Sequence, residues 1–408
     1  MPEQPERLKP LATICNGIMS VPFGGALQRL CLGFAEPLLQ AMTNSPDLKA
    51  LRDRLDVLDG SLLDAIRERQ QIIAAIGEAK RGMGKPLRDF AREKDVLDRA
   101  EANAAKRGLD ASLAHELMKL LIQHSLTHQE IAHIRAQATG AGLRALVVGG
   151  AGQMGRWFAS FLDSQGFNVE ICDPNASADE AFPAHTRLDS SLLNTDLILV
   201  AAGLRASAGI LRELVTMAPT KAVIIDIASI KEPLRPSLVA LKDAGWQVAS
   251  LHPMFGPSAV LLADRHVVVI DLGCPDATAL ARSLFANTTA VVSELSLDAH
   301  DRIMAEVLGL SHALNIAFAL ALAEGKADGD LLQRVSSSTF DAQSKVARRV
   351  LNENPNLYFE IQTENPNNAA QLDRLATALQ HLSLAVAARD IDTFRALMAR
   401  GRELLGPG

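Results

Sequence analysis

The run "ALVVGGAGQMGRWF", residues 145–158, constrains this chain more than any other stretch. A short apolar run rich in valine meets Gly150-x-Gly152-x-x-Gly155 and then helix-forming residues. A strand that turns tightly into a helix at glycines opens a βαβ unit, and the crossover makes the next strand run parallel to the first. The runs that follow keep to this rule. "NVEICD", "LILVAAG", "AVIIDIAS", "QVASLHP" and "HVVVIDL" are short and β-rich, and helical stretches separate the earlier ones. That alternation predicts a parallel, doubly wound α/β sheet over 143–295.

The three glycines of the loop serve different physical ends. One allows a tight turn, one the close approach of a pyrophosphate, and one close helix–strand packing. The helix start at Gln153 and Met154 then offers amide donors to phosphates. Asp173 stands about 20 residues on, at the end of the second strand, where the dinucleotide-binding pattern places an acid. An acid there bonds ribose hydroxyls and repels a 2′-phosphate, so the expected cofactor is NAD. Further along, "VASLHPMFGPS" sets His252 between an apolar run and a Met-Phe-Gly-Pro turn. A buried strand end has no need of an imidazole, whereas a proton-transfer site has.

At 408 residues the chain is long enough for two or three domains. With 48% hydrophobic and 22% charged residues it is ordinary for a soluble globular protein. A net charge of -6 argues against a general nucleic-acid binder. Cys15, Cys31, Cys172 and Cys274 are scattered, without metal or redox spacing; no metal and a reducing, cytoplasmic setting are expected. No apolar run approaches the ~20 residues of a membrane span. Residues 1–45 read as an extension of unknown role; Glu3 and Glu6 spoil the basic flank of a secretory signal.

Residues 46–136 are charged and helical in period. Leu48, Leu51, Leu55, Leu58, Leu62, Ile66, Ile73 and Ile76 mark one long amphipathic helix, stopped near "RGMGKP". Two shorter helices are expected at 88–107 and 110–136. Three helices with so thin an apolar stripe need a partner, which points to an intertwined dimer. "QATGAGLRA" reads as a linker, and from 296 to 408 the chain is helical again. On the long helix Arg69 and Lys80 share a face, being about 20° from whole turns apart, while Arg52 lies roughly 25 Å from Arg69 on another face. Asp89, Arg92 and Glu93 share a face of the second helix, as Ser125 and Gln129 do on the third.

The stretches "LRDRLDVLDGSLLDAIRERQQIIAAIGEAK", "RDFAREKD" and "SLTHQ" resemble the all-helical chorismate mutases. With "VVGGAGQMGRWF", "DIASIKEPL", "LHPMFGP" and "NPNLY", the whole chain resembles the bifunctional chorismate mutase–prephenate dehydrogenase family. The resemblance implies a three-helix mutase domain, a Rossmann-type NAD domain and an all-helical dimerisation and substrate domain. It implies that Arg69, and Arg52 from the partner chain of a homodimer, hold the carboxylates of chorismate. Lys80 and Gln129 bond the ether oxygen, Glu93 and Asp89 the ring hydroxyl, and Arg92 and Ser125 complete the shell. His252 takes the proton of the prephenate ring hydroxyl as hydride passes to the nicotinamide and carbon dioxide leaves. Ser229, Lys231, His312 and Gln371 line the substrate pocket.

Two positions depart from the family. Asn367 replaces an arginine that binds a substrate carboxylate, and Ala201 replaces a serine beside the ring hydroxyl. Three readings stay open at this point. Arg205, Arg348 or Arg349 substitutes for the arginine; the substrates are the 4-amino analogues of chorismate and prephenate; or the second half is a dehydrogenase-impaired regulatory or binding protein.

Overall fold

The computed structural model describes residues 48–83, 89–177, 180–259, 262–263, 265–325 and 328–406. The extension at 1–45 lies outside them. By internal contacts the chain forms two units, Met1–Ile76 and Gly77–Gly408. The boundary falls inside the first helix, α1 (Leu48–Gly82), and not at the linker after residue 136.

In the first unit α1 carries the leucine stripe that the sequence predicts. Leu48, Leu51, Leu55, Leu58 and Leu62 are between 48% and 62% exposed.

The second unit begins with the end of α1, then α2 (Phe90–Lys106) and α3 (Ala111–Ala136), which pack along each other. Asp89 caps α2 by accepting from the Arg92 N–H, and Asp110 caps α3 by accepting from that of Ser112. Each such cap contributes about 1 kcal/mol.

An eight-stranded sheet follows, in the order β3-β2-β1-β4-β5-β6-β7-β8. The strands are β1 (Arg144–Val148), β2 (Asn168–Cys172), β3 (Ala184–His185), β4 (Leu197–Val200), β5 (Val223–Asp226), β6 (Gln247–Pro253), β7 (His266–Asp271) and β8 (Val291–Ser296). Strands β1 to β6 pair in parallel. The wholly parallel sheet expected above is corrected at β7, which runs antiparallel to β6. Among the described residues between them none is helical, which fits a chain that doubles back without a helical crossover. β8 is a strand that the sequence pattern does not predict. Its six residues are exposed or half-buried, so the sequence lacks the apolar run that marks a buried strand.

Helices α4 (Gln153–Ser164) and α7 (Pro275–Ser283) cover one face of the sheet, burying Phe158, Leu162 and Phe285. Helices α5 (Leu204–Val215) and α6 (Arg235–Asp243) cover the other, burying Leu211, Leu238 and Trp246. Val147, Leu197, Ile198 and Leu199 are fully buried between them. Each contributes roughly 1.5–3 kcal/mol of hydrophobic stabilisation.

The remainder is helical: α8 (Leu297–Met304), a π-helical segment (Ala305–Leu310), α9 (Ser311–Glu324), α10 (Gly329–Arg334), α11 (Ser338–Leu351), α12 (Pro355–Glu364), α13 (Asn368–Ala387) and α14 (Ile391–Leu405). Leu297–Glu324 is one helical run of 28 residues, long and apolar enough to cross a bilayer by length and composition alone. The buried His300 and Asp301 near its start tie it to the sheet.

Candidate active site

The sheet order turns at β1 and β4. The chain goes from β1 outward to β2 and β3, then returns to β4 on the other side of β1. Ligands of doubly wound sheets bind outside the strand ends at such a switch point. Two helices start there, α4 at Gly152 and α5 at Gly203, and neither N-cap has a side-chain hydrogen bond. Their first-turn amides are therefore left for an anion.

The loop between β1 and α4 is built for close approach. Gly149 has φ +86°, and a Cβ on Gly150 or Gly155 would overlap Ile171 or the Gly149 carbonyl. Asp173 is buried at the end of β2. Its Oδ2 accepts from the Ala151 N–H at 3.2 Å and its Oδ1 from the Asn175 N–H at 2.9 Å. Each oxygen keeps a further lone pair. Arg156, a cation in the first turn of α4, is paired with Glu180 at 2.7 Å. Glycines 150, 152 and 155, the starts of two helices and Asp173 thus fit a dinucleotide with an unphosphorylated adenosine ribose.

His252 sits near the carboxyl end of β6, 3% exposed. Its Nδ1 lies 2.9 Å from Nε2 of His300, and Nδ1 of His300 lies 2.6 Å from Oδ1 of Asp301. Asp301 also accepts from the Lys231 N–H at 3.0 Å and the Glu232 N–H at 2.7 Å. Donor and acceptor rules fix the protons along this chain. A carboxylate only accepts, so His300 carries its proton on Nδ1 and offers the Nε2 lone pair. His252 must then donate from Nδ1, which leaves the lone pair on its Nε2. Burial, His300 and Lys231 hold His252 well below the usual histidine range. His300 is lowered too, by burial, with Asp301 pulling the other way. Burial pushes Asp301 up, yet the hydrogen bonds from His300, Lys231 and Glu232 keep it below the usual carboxylate range.

Lys231, placed by the resemblance at the substrate pocket, is engaged within the protein. Its ammonium is fully buried and donates to Asp226 Oδ1 at 2.6 Å and to the Leu251 carbonyl at 2.8 Å. The side chain props the strand end that carries His252. Burial lowers its pKa, while Asp226 raises it. Ser229 is half-buried in the turn between β5 and α6.

On the helical side His312 packs at a tilt against Tyr358, ring centres 4.2 Å apart, and its Nδ1 is buried without a partner. Burial lowers its pKa to about 4. Gln371 donates to Glu306 at a long 3.4 Å. Asn367 donates from both nitrogens to the side chain of Asn365, which donates to the Asp301 carbonyl at 2.7 Å. Position 367 is therefore joined to the relay through a neutral amide. Arg205, one possible replacement cation, is 77% exposed and loosely faces Glu360 and Glu364.

In the mutase segment Ser125 and Gln129 are buried one turn apart on α3. Ser125 donates to the Leu121 carbonyl at 2.6 Å. Gly77 lies against Gln129, where a Cβ would come within 3.3 Å of the glutamine Cγ. Lys80, one turn on, is half-buried, as is Glu93. Asp89 and Arg92, both exposed, are engaged locally: Asp89 caps its own helix and Arg92 pairs with Asp95 at 2.5 Å. In the first unit Arg52 is exposed, and Arg69 is half-buried with its pKa lowered by desolvation.

Sequence reasoning misses His300, Asp301 and Asp226. "DAHD", residues 298–301, carries no motif, and its histidine meets His252 only through folding across 48 residues.

The chain is similar to known proteins in each of its parts. The family model for chorismate mutase type II matches residues 51–130. Those for the nucleotide-binding and dimerization domains of prephenate dehydrogenase match 158–294 and 296–400. The T-protein of Enterobacter agglomerans is 28% identical over 329 residues, 80% of this chain and 85% of that protein. The 4-amino-4-deoxyprephenate dehydrogenase of Streptomyces pristinaespiralis is 29% identical over 279 residues, 64% of this chain and 91% of its own. The crystal structure of prephenate dehydrogenase from A. aeolicus, in complex with hydroxyphenyl propionate and NAD+, superposes with a TM-score of 0.50 at 19% identity, covering 65% of this chain and 97% of that one. At that identity the likeness speaks for the fold. In sequence, domain order and fold alike, this chain belongs to the bifunctional chorismate mutase–prephenate dehydrogenase family.

Proposed function

We propose that the chain rearranges chorismate to prephenate in its helical segment and oxidises prephenate to 4-hydroxyphenylpyruvate and carbon dioxide in its second half, on the route to tyrosine. The His252–His300–Asp301 chain carries the second assignment, because it leaves one imidazole lone pair on a neutral, buried base. NAD, when bound at the glycine loop, supplies the hydride acceptor. His252 takes the ring hydroxyl proton through Nε2, and Nδ1 passes the growing positive charge toward His300 and Asp301. That chain is also what a binding protein without turnover would not need, which favours an active dehydrogenase. Ser229, His312, Asn367 and Gln371 are proposed to surround the substrate, and Gln153 and Met154 to give amides to the cofactor.

For the mutase we assign Lys80 and Gln129 to the ether oxygen and Arg52 and Arg69 to the carboxylates, with Asp89, Arg92, Glu93 and Ser125 around the ring. A pericyclic rearrangement needs a compact conformer and charge aimed at the transition state, and these residues supply both without a nucleophile. The 4-amino reading is not favoured, because the T-protein likeness runs through both halves of one chain. The working form is a homodimer, supported by the exposed leucine stripe of α1. The buried free thiols Cys172 and Cys274 fit a cytoplasmic setting. Parallel assays of NADH formation with prephenate and with its 4-amino analogue test the substrate assignment. Prephenate should be turned over far faster, and a preference for the amino compound would overturn it.

A further inference from the structure

The loop after His252 reaches back to the mutase helix. Residues 254–259 and 262 follow the end of β6 and are bonded to neighbouring segments. Met254 donates to the His266 carbonyl at 2.9 Å. Trp157, on the dinucleotide helix α4, donates from its indole to the Ala259 carbonyl at 2.8 Å. Leu262 donates its N–H at 2.9 Å to Oε2 of Glu130 on α3. The other oxygen, Oε1, accepts from the Thr289 N–H at 3.1 Å and from the Thr289 hydroxyl. Glu130 is 3% exposed, and three donors from two distant segments converge on it.

Packing holds part of this loop: Ala259 and Leu262 are buried, and the Phe255 ring lies 5.0 Å from that of Trp157. A cavity of about 600 Å³ opens between α3, α4 and the loop, lined among others by Glu130, Trp157, Pro257, Ala259 and Leu262. Beside the open cavity its hydrogen bonds add to that packing, and a carboxylate bonded to neutral donors in a buried setting makes strong ones. A carboxylate is also the side chain that fits, since both its oxygens only accept. A glutamine would aim an N–H at an N–H.

We infer that Glu130 is a positioning residue for the dehydrogenase: it moors the loop after His252 to the helix that carries Ser125 and Gln129 of the mutase. The inference rests on the reading of His252 given above. Gln129 directly precedes this mooring in the chain, so the two activities share a mechanical element. Substrate bound on the Gln129 face of α3 would bear on the loop beside His252.

The test uses the full-length enzyme with Glu130→Gln, Glu130→Ala and Thr289→Val. A misplacement near 1 Å commonly costs about 10²-fold, so kcat/KM for supplied prephenate should fall on the order of 10–100-fold in both Glu130 variants. Most of the fall should lie in KM for prephenate, while NAD affinity, measured by equilibrium titration, stays at the wild-type value. Thr289→Val, which removes one of three donors and keeps the side-chain shape, should give a smaller loss. Combined with Glu130→Gln it should add nothing, because the two act through one contact. A merely structural role would lower both activities in equal proportion and leave KM for prephenate unchanged, and that result overturns the inference. So does a Glu130→Gln enzyme with wild-type kcat/KM. Should the Glu130 variants fail to fold, Thr289→Val decides by the same KM criterion. Wild-type enzyme that reduces no NAD with prephenate would instead overturn the reading of His252.

Discussion

Residue by residue, the second active site is an argument about one proton. Asp301 accepts from His300, His300 accepts from His252, and the remaining lone pair of His252 is the base we propose. His252→Asn should keep NAD binding and chorismate consumption and lose roughly 10²–10⁴-fold in hydride transfer, the usual worth of a general base. Stopped-flow NADH absorbance with supplied prephenate checks it. The pH profile follows from the direction of the shift. Because burial, His300 and Lys231 depress His252, its neutral form prevails through and below neutrality. The dehydrogenase should therefore stay active as pH falls through 6.5 and lose rate only well below it, in place of the near-neutral ionisation that an unshifted histidine would give. Stability obeys the same sign. His312 is held at about 4 in the fold, so the unfolded chain binds a proton that the fold refuses between its own pKa near 6.5 and that value. That contribution is complete above the unfolded pKa and is lost as pH falls through this window. His252 was legible because a strand and a glycine-proline turn frame it. His300 was not, because its meaning comes from a partner 48 residues away.

At the scale of elements, the π-helical segment Ala305–Leu310 sets the phase between the relay at His300 and Asp301 and His312, the histidine proposed for the substrate pocket. A π turn carries one more residue than an α turn. Deleting Val307 should restore the α-helical phase and turn His312 by about 100° against the relay. We expect unchanged far-ultraviolet dichroism with loss of prephenate turnover; full turnover would show that the phase is immaterial. Close packing explains Gly309, where a Cβ would overlap the side-chain oxygen of Asn368 at the start of α13. The three mutase helices and the strands up to β6 could be read from periodicity and from glycine punctuation. β3 could not, with two residues, nor β8, whose side chains are exposed or half-buried throughout. The direction of β7 is not legible for another reason: its apolar run, "HVVVID", looks the same in either direction.

For the whole molecule, the question is how many chains make a mutase. Arg52 and Arg69 are seventeen positions apart on one continuous helix, roughly 25 Å along its axis. One small substrate cannot span that length, so Arg52 should act on a partner's substrate. Mixing inactive Arg52→Ala chains with inactive Lys80→Ala chains should restore part of the mutase activity. No recovery, with mixed dimers shown to form by native mass spectrometry, would count against shared sites. The exposed leucines of α1 supply the apolar surface for such a dimer.

The most direct test of two linked activities in one chain is to supply chorismate and NAD alone and follow prephenate and NADH together. Wild-type enzyme should form NADH after a lag, with prephenate rising and then falling. His252→Asn should convert chorismate to prephenate and stop there, while Gln129→Ala should reduce NAD only when prephenate is supplied. Wild-type enzyme that leaves NAD oxidised in the presence of prephenate, or a His252→Asn enzyme that forms NADH at the wild-type rate, would contradict the account.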